Sequence, residues 1–304
     1  MLPDPLAEIE QALSIGLELP TTAVERLTGL EGESLDRFRS LWNRLGAEER
    51  EALLSAMGEA AEENLVLDFA PAYALALVDP DPSVRELGLR LASEEADPDL
   101  LDTYVRSAVA DPDPDVRLAA LEELGSYTLA AQVDDWPAEV QQKLEQVLTG
   151  VLHLPDADTM TRRAALLSLS FLTTPQTELE IRQAHLQPDL RDAAIEAMGR
   201  NCQEIWIPDI RAEMHGEIAH LRATAAQAAA ELEDAELVPD LIQRLSDPES
   251  DVRLAAIHAL GLIGGKDAKA ALSELLQSRD REIRAAAREA MQDLLEGEDP
   301  LALR

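Results

Sequence analysis

The chain has 304 residues and a formal charge of −34, from 26 lysines and arginines against 60 aspartates and glutamates. Apolar residues make up 46% of it and aromatics 3%, enough apolar content for a packed core and too much for an acidic disordered chain. The carboxylate excess argues against a phosphate-binding groove or docking on an anionic membrane, and the single cysteine, Cys202, allows neither an internal disulfide nor a C-x-x-C zinc framework.

From the N-terminus, no basic segment precedes an apolar one, and nowhere do about 18 apolar residues run together, so a cytoplasmic protein without a membrane span is expected. Residues 4–30 read as two short helices, Ser34–Leu45 and Ala47–Glu63 as a helical pair, and Phe69–Leu77 as the next helix. A motif then begins to recur. Asp79-Pro-Asp-Pro-Ser-Val-Arg85 is followed by Asp111-Pro-Asp-Pro-Asp-Val-Arg-Leu-Ala-Ala-Leu-Glu-Glu-Leu-Gly125. A loop near Gln132–Asp135 leads to Trp136–His153, a helix of about four turns. Weaker copies surround Arg162, Arg191 and Arg222, a strong one spans Asp247–Gly261, and the last surrounds Arg284. The intervals between these arginines, from Arg85 onward, are 32, 45, 29, 31, 31 and 31 residues. Residues 297–304 read as a frayed tail.

Each repeat therefore reads as a helix A, an Asp/Pro turn and a helix B. Trp206-Ile-Pro-Asp-Ile210 and Leu237-Val-Pro-Asp-Leu241 start successive A helices: proline suits the first turn, and aspartate suits the positive end of the helix dipole. Numbering helix B so that the framing arginine is position 2, position 1 is apolar in most copies (Val84, Val116, Leu190, Leu221, Val252, Ile283). Positions 4 and 5 are usually small (Ala119 and Ala120, Ala164 and Ala165, Ala255 and Ala256), and position 9 is commonly large (Leu124, Leu169, Met198, Leu260). These positions share one helical face, and alanines in its middle let neighbouring helices approach closely. One such pair has too little core to stand alone, so the pairs must stack.

The run Asp-Pro-x-x-x-Val-Arg-x-Ala-Ala-x-x-Ala-Leu-Gly at 247–261, with its relatives, resembles HEAT repeats, specifically the short HEAT-like repeats also found in phycobilisome bilin lyases. The resemblance covers about 79–296 and implies a right-handed α-solenoid of about seven to eight helical hairpins with a less regular helical N-terminal cap. The expected division is a cap at 1–66, repeats at 67–296 and a tail at 297–304. In that family a turn aspartate and a helix-B arginine form a ladder between repeats. Six residues before the framing arginine stand Asp79, Asp111, Asp156 and Asp247, but His185, Gly216 and Ser278 in the other copies, so an irregular ladder is expected around 185–222.

Candidate chemistry is sparse. Asp111, Asp113 and Asp115 with Glu122 imitate a calcium loop, but Val116 replaces the glycine such a loop needs, and helix capping accounts for the aspartates better. The histidines 153, 185, 215, 220 and 258 form no H-E-x-x-H, so the iron-dependent hydroxylase activity of some HEAT-like enzymes is not carried over. Cys202 reads as a buried or turn thiol, Gly264-Gly265 as a helix end, and Trp42, Trp136 and Trp206 as core. No catalytic, cofactor-binding or metal-ligating residue is assigned, and no cofactor is expected.

In the resembled family the B helices line the concave surface, which makes positions 3 and 7 of helix B the candidate partner face. Its residues are Leu118, Glu122, Arg163, Leu167, Asp192, Glu196, Gln227, Leu254 and His258. Apolar residues beside charged ones suit a protein groove. The expectation is a non-enzymatic scaffold or adaptor for a protein or peptide, a basic segment being favoured by the acidic field, with no nucleic-acid or membrane partner. The alternative, implied by the resemblance alone, is a bilin-lyase-like cofactor-transfer chaperone.

Overall fold

A computed structural model describes residues 4–92, 96–134 and 136–298. Every regular element among the described residues is a helix, and they fall into two compact units, Met1–Trp136 and Pro137–Arg304. The expected all-α solenoid of stacked helical pairs is what each unit displays.

The first unit opens with α1 (Pro5–Ser14), α2 (Thr21–Glu25), α3 (Gly32–Trp42) and α4 (Ala47–Glu63). Helix α3 begins two residues before the expected Ser34. The Ser34 hydroxyl instead turns back to accept from the Glu31 N–H (3.1 Å) and donate to its carbonyl (2.7 Å). Phe38, Leu41 and Trp42 of α3 share a core with Leu53, Leu54 and Met57 of α4, all buried. The Trp42 indole N–H donates to the buried Asp79 carboxylate (2.9 Å), so the ring buries its bulk without orphaning its donor. Two pairs follow: α5 (Ala70–Ala76) with α6 (Pro82–Leu91), and α7 (Leu101–Ala110) with α8 (Pro114–Val133). Asp81 and Asp113 cap α6 and α8 by accepting from Ser83 N–H (3.0 Å) and Asp115 N–H (2.9 Å), with proline as the first helical residue. Helix α8 continues into the expected loop near 132–135, whose residue 135 lies outside the described residues.

The second unit holds five pairs: α9 (Ala138–Leu152) with α10 (Thr159–Leu169), α11 (Pro175–His185) with α12 (Arg191–Arg200), α13 (Ile207–Met214) with α14 (Ala219–Leu232), α15 (Val238–Arg244) with α16 (Ser250–Ile263), and α17 (Gly265–Leu275) with α18 (Arg281–Glu298). Pro208 and Pro239 are the second residues of α13 and α15. Helix α18 runs two residues into the expected tail, and residues 299–304 lie outside the described residues.

Within each unit the B helices pack side by side: α4, α6 and α8 in the first, and α10, α12, α14, α16 and α18 in the second. The small middle of the B face explains the closeness. Ala119, Ala120, Ala165, Ala194, Ala225, Ala226 and Ala256 are all fully buried. At Gly261 a methyl group would lie 2.7 Å from the Ala290 carbonyl oxygen, and at Gly199 it would lie 2.7 Å from Ala228 Cα, so glycine admits the neighbouring backbone at both contacts. Trp206 is fully buried and donates to Asn201 Oδ1 (2.8 Å). The Asn201 amide in turn donates to the carbonyls of Ser170 (2.8 Å) and Leu172 (3.0 Å), linking two repeats through a satisfied buried network.

Candidate partner-binding face

The framing arginines sit at the joints between repeats. Arg85 Nη1 donates to the carbonyls of Asp79 (2.8 Å) and Pro80 (3.1 Å) in its own turn, while Nε and Nη2 donate to the Asp111 carboxylate of the next (2.8 and 2.7 Å). Arg222 repeats this arrangement, with the carbonyls of Gly216 (3.1 Å) and Glu217 (2.9 Å) behind it and the buried Asp247 carboxylate ahead (2.9 and 2.8 Å). The planar guanidinium fork suits this double duty. The Arg222 hydrogen bonds hold the Asp247 carboxyl below the usual carboxylate range, outweighing the opposing effect of burial.

The ladder departs from this scheme where the turn aspartate is missing, as expected, and other acids take over. Arg162 reaches Asp189 (3.1 Å), and Arg191 reaches Glu213 at the end of α13 (3.0 and 2.6 Å). Arg253 and Arg284 hold their own turns, through the carbonyls of Asp247 (2.8 Å) and Ser278 (2.5 Å).

The candidate partner residues lie on five B helices: Leu118 and Glu122 on α8 of the first unit, and Arg163 and Leu167 on α10, Asp192 and Glu196 on α12, Gln227 on α14, and Leu254 and His258 on α16 of the second. Glu122, Gln227 and His258 are exposed, whereas Leu118, Leu167 and Leu254 are half-buried. The charged members are largely engaged with one another. Arg163 bonds Asp192 (3.0 Å) and also Glu196, Arg200 bonds Glu196 (2.6 Å), and the Thr224 hydroxyl donates to Asp192 (2.6 Å). This chain ties α10, α12 and α14 together across the face. On the first unit Arg90 reaches Glu122 (3.3 Å) and Glu86 (3.2 Å), joining α6 to α8. In each unit the B helices therefore carry half-buried leucines among paired charges.

Sequence reasoning missed a second row on the A helices. His153 meets Glu180 (2.8 Å), His185 meets Glu213 (2.6 Å), and His215 meets Asp240 (2.8 Å), each imidazole at the end of one A helix and each carboxylate on the next. The histidines are 32 and 30 residues apart, so the repeat period held the signal, but the partner carboxylates are named only by packing. Among the described residues no group of three or more His, Cys, Asp or Glu is placed to hold a metal ion. Cys202 is exposed in the turn after α12, with φ +52° and its thiol 3.4 Å from the Gly199 carbonyl. Trp42 and Trp206 are core as expected, Trp136 sits edge-on against Tyr127 (6.2 Å between centroids), and Gly264 closes α16 at φ +68°.

Residues 207–292, spanning α13 to α18, match the family model for HEAT repeats. That segment carries HEAT repeats. No curated protein sequence matches the chain. A solved structure of Kap95p with RanGDP contains a chain of the same fold, with a TM-score of 0.52 and 15% identity over 96% of this chain and 46% of that one. Escherichia coli YIBA gives a TM-score of 0.47 and 17% identity over 89% of this chain and 96% of its own. A chain of the CpcE–CpcF phycocyanin lyase complex of Nostoc sp. PCC7120 gives 0.48 and 18% over 74% and 94%. The Arg222–Asp247 clasp and the alanine-lined faces of α14 and α16 are the physical content of these HEAT repeats. Among the described residues no helix is long and apolar enough to cross a membrane.

Proposed function

We propose that this HEAT-repeat chain is a non-enzymatic scaffold or adaptor that holds a protein segment rich in lysine or arginine against its B-helix face. The observation that carries the reading is the half-buried leucines Leu118 and Leu254 at position 3 of helix B and Leu167 at position 7, set among carboxylates. Leucine tips supply contact energy at the centre of an interface, and charges at its rim select the partner. A net charge of −34 attracts a basic segment from a distance and raises its rate of encounter. The test is affinity capture from the native cell at low and high salt, with the wild-type chain beside Leu254→Asp, each first checked for an unchanged thermal melt. Partners recovered at low salt, released at high salt and depleted by the substitution are expected. Recovery indifferent to both would overturn the reading.

A further inference from the structure

The first unit holds a groove of about 790 Å³ away from the candidate B-helix residues. Its walls come from the connector between α4 and α5, from α5, from the end of α6, from residues 96–100 before α7 and from the last turns of α8, with Leu67, Phe69, Tyr73, Leu91, Leu100 and Ala130 among its lining. At its lip stand Leu65 and Val66, 92% and 88% exposed. They are held there by a turn: Leu67 N–H donates to the Asn64 carbonyl (3.0 Å) and Val66 N–H to the Asn64 side-chain oxygen (3.2 Å). The middle of a tight turn is ordinarily polar, glycine or proline, so an apolar pair fixed in water at a groove marks a contact surface.

The groove has a definite electrical character. Asp68, Asp97 and Asp134 line it and are exposed, and among the described residues no lining residue is a lysine or arginine. The Ala70 N–H bonds one oxygen of Asp68 (3.0 Å) and the Asp99 N–H one oxygen of Asp97 (2.9 Å), which fixes both carboxylates at the rim. We infer that this groove docks an amphipathic segment of a partner protein, leucine-like side chains entering the apolar floor beside Leu65 and Val66 and lysines or arginines meeting Asp68, Asp97 and Asp134. The class of partner rests on the scaffold reading, and the site is new to it. The same three aspartates disfavour a second copy of this acidic chain and an anionic lipid surface as occupants.

The test is fluorescence anisotropy with the full-length chain and a labelled peptide of leucine and lysine at i, i+3, i+4 spacing. Saturable binding is expected. The double variant Leu65→Ser/Val66→Ser, which touches only exposed side chains, should weaken it by about tenfold or more. Asp68→Asn/Asp97→Asn/Asp134→Asn should flatten its salt dependence, and a peptide with glutamate for lysine should not bind. Unchanged affinity in the Leu65/Val66 variant overturns the groove, as does absence of peptide binding. If Leu254→Asp weakens the peptide instead, the groove fails and the scaffold reading stands. A wild-type dimer by sedimentation that the Leu65/Val66 variant makes monomeric would replace the peptide by a second copy and overturn the proposal.

Discussion

Glu233 closes α14 with φ +51°, a left-handed conformation that places its Cβ against the following carbonyl. Glycine adopts that conformation without the clash and is the common residue at such helix ends. Glu233→Gly is therefore expected to stabilise the chain by about 1 kcal/mol, read as a higher urea midpoint at unchanged slope. A lower midpoint would mean that the glutamate makes a contact worth more than the strain. Single residues also show where sequence reading stops. Arg85 and Arg222 declare themselves by spacing, and their partners Asp111 and Asp247 by the Asp-Pro turn. Glu213 does not, because it takes up Arg191 from the end of an A helix, where a buried glutamate and an exposed one look the same in the sequence. Leu65 and Val66 lie between the expected helices Ala47–Glu63 and Phe69–Leu77, where the sequence assigns them no role, and only the turn reveals that they face water.

At the scale of a helix, the alanine-rich B faces were legible from periodicity, since residues three and four apart must share a side. The final glycine of the motif gained its meaning only from the neighbouring helix. Gly261→Ala drives a methyl group to 2.7–2.8 Å of the Ala290 backbone, whereas a methyl group at Gly150 of α9 meets nothing within 4 Å. The two substitutions should have opposite signs. Gly261→Ala is expected to destabilise by about 1–3 kcal/mol through overpacking. Gly150→Ala should stabilise by about 0.5–1 kcal/mol through helix propensity. Chemical denaturation of both variants checks this, and equal effects would mean that α16 and α18 slide apart at little cost. Helix ends were less legible than helix faces. The Glu31–Ser34 turn moved the start of α3, and α8 ran on past its expected end because its last turns still bury Ala131.

For the molecule as a whole, repeats are held together by buried ionic clasps on a background of strong negative charge. Asp247 has a folded-state pKa below its ordinary value, so its contribution to stability is present above the unfolded-chain pKa and is lost as pH falls through the folded value. The stability difference between wild type and Asp247→Asn should accordingly be largest near about pH 6 and shrink below about pH 4. Unfolding free energies of both proteins across that range test this. A difference that stays constant would show that the clasp acts through shape rather than charge.

The same clasps govern how such a chain can change in length. Arg222 draws on carbonyls behind it and a carboxylate ahead of it, so each module supplies half of a joint on either side. Duplicating or excising one whole repeat leaves the Arg222 guanidinium a turn behind and a module ahead, while a cut inside a repeat separates the cation from its acid. Change of length by whole repeats therefore disturbs the fewest joints, in keeping with the run of three 31-residue intervals between Arg191 and Arg284.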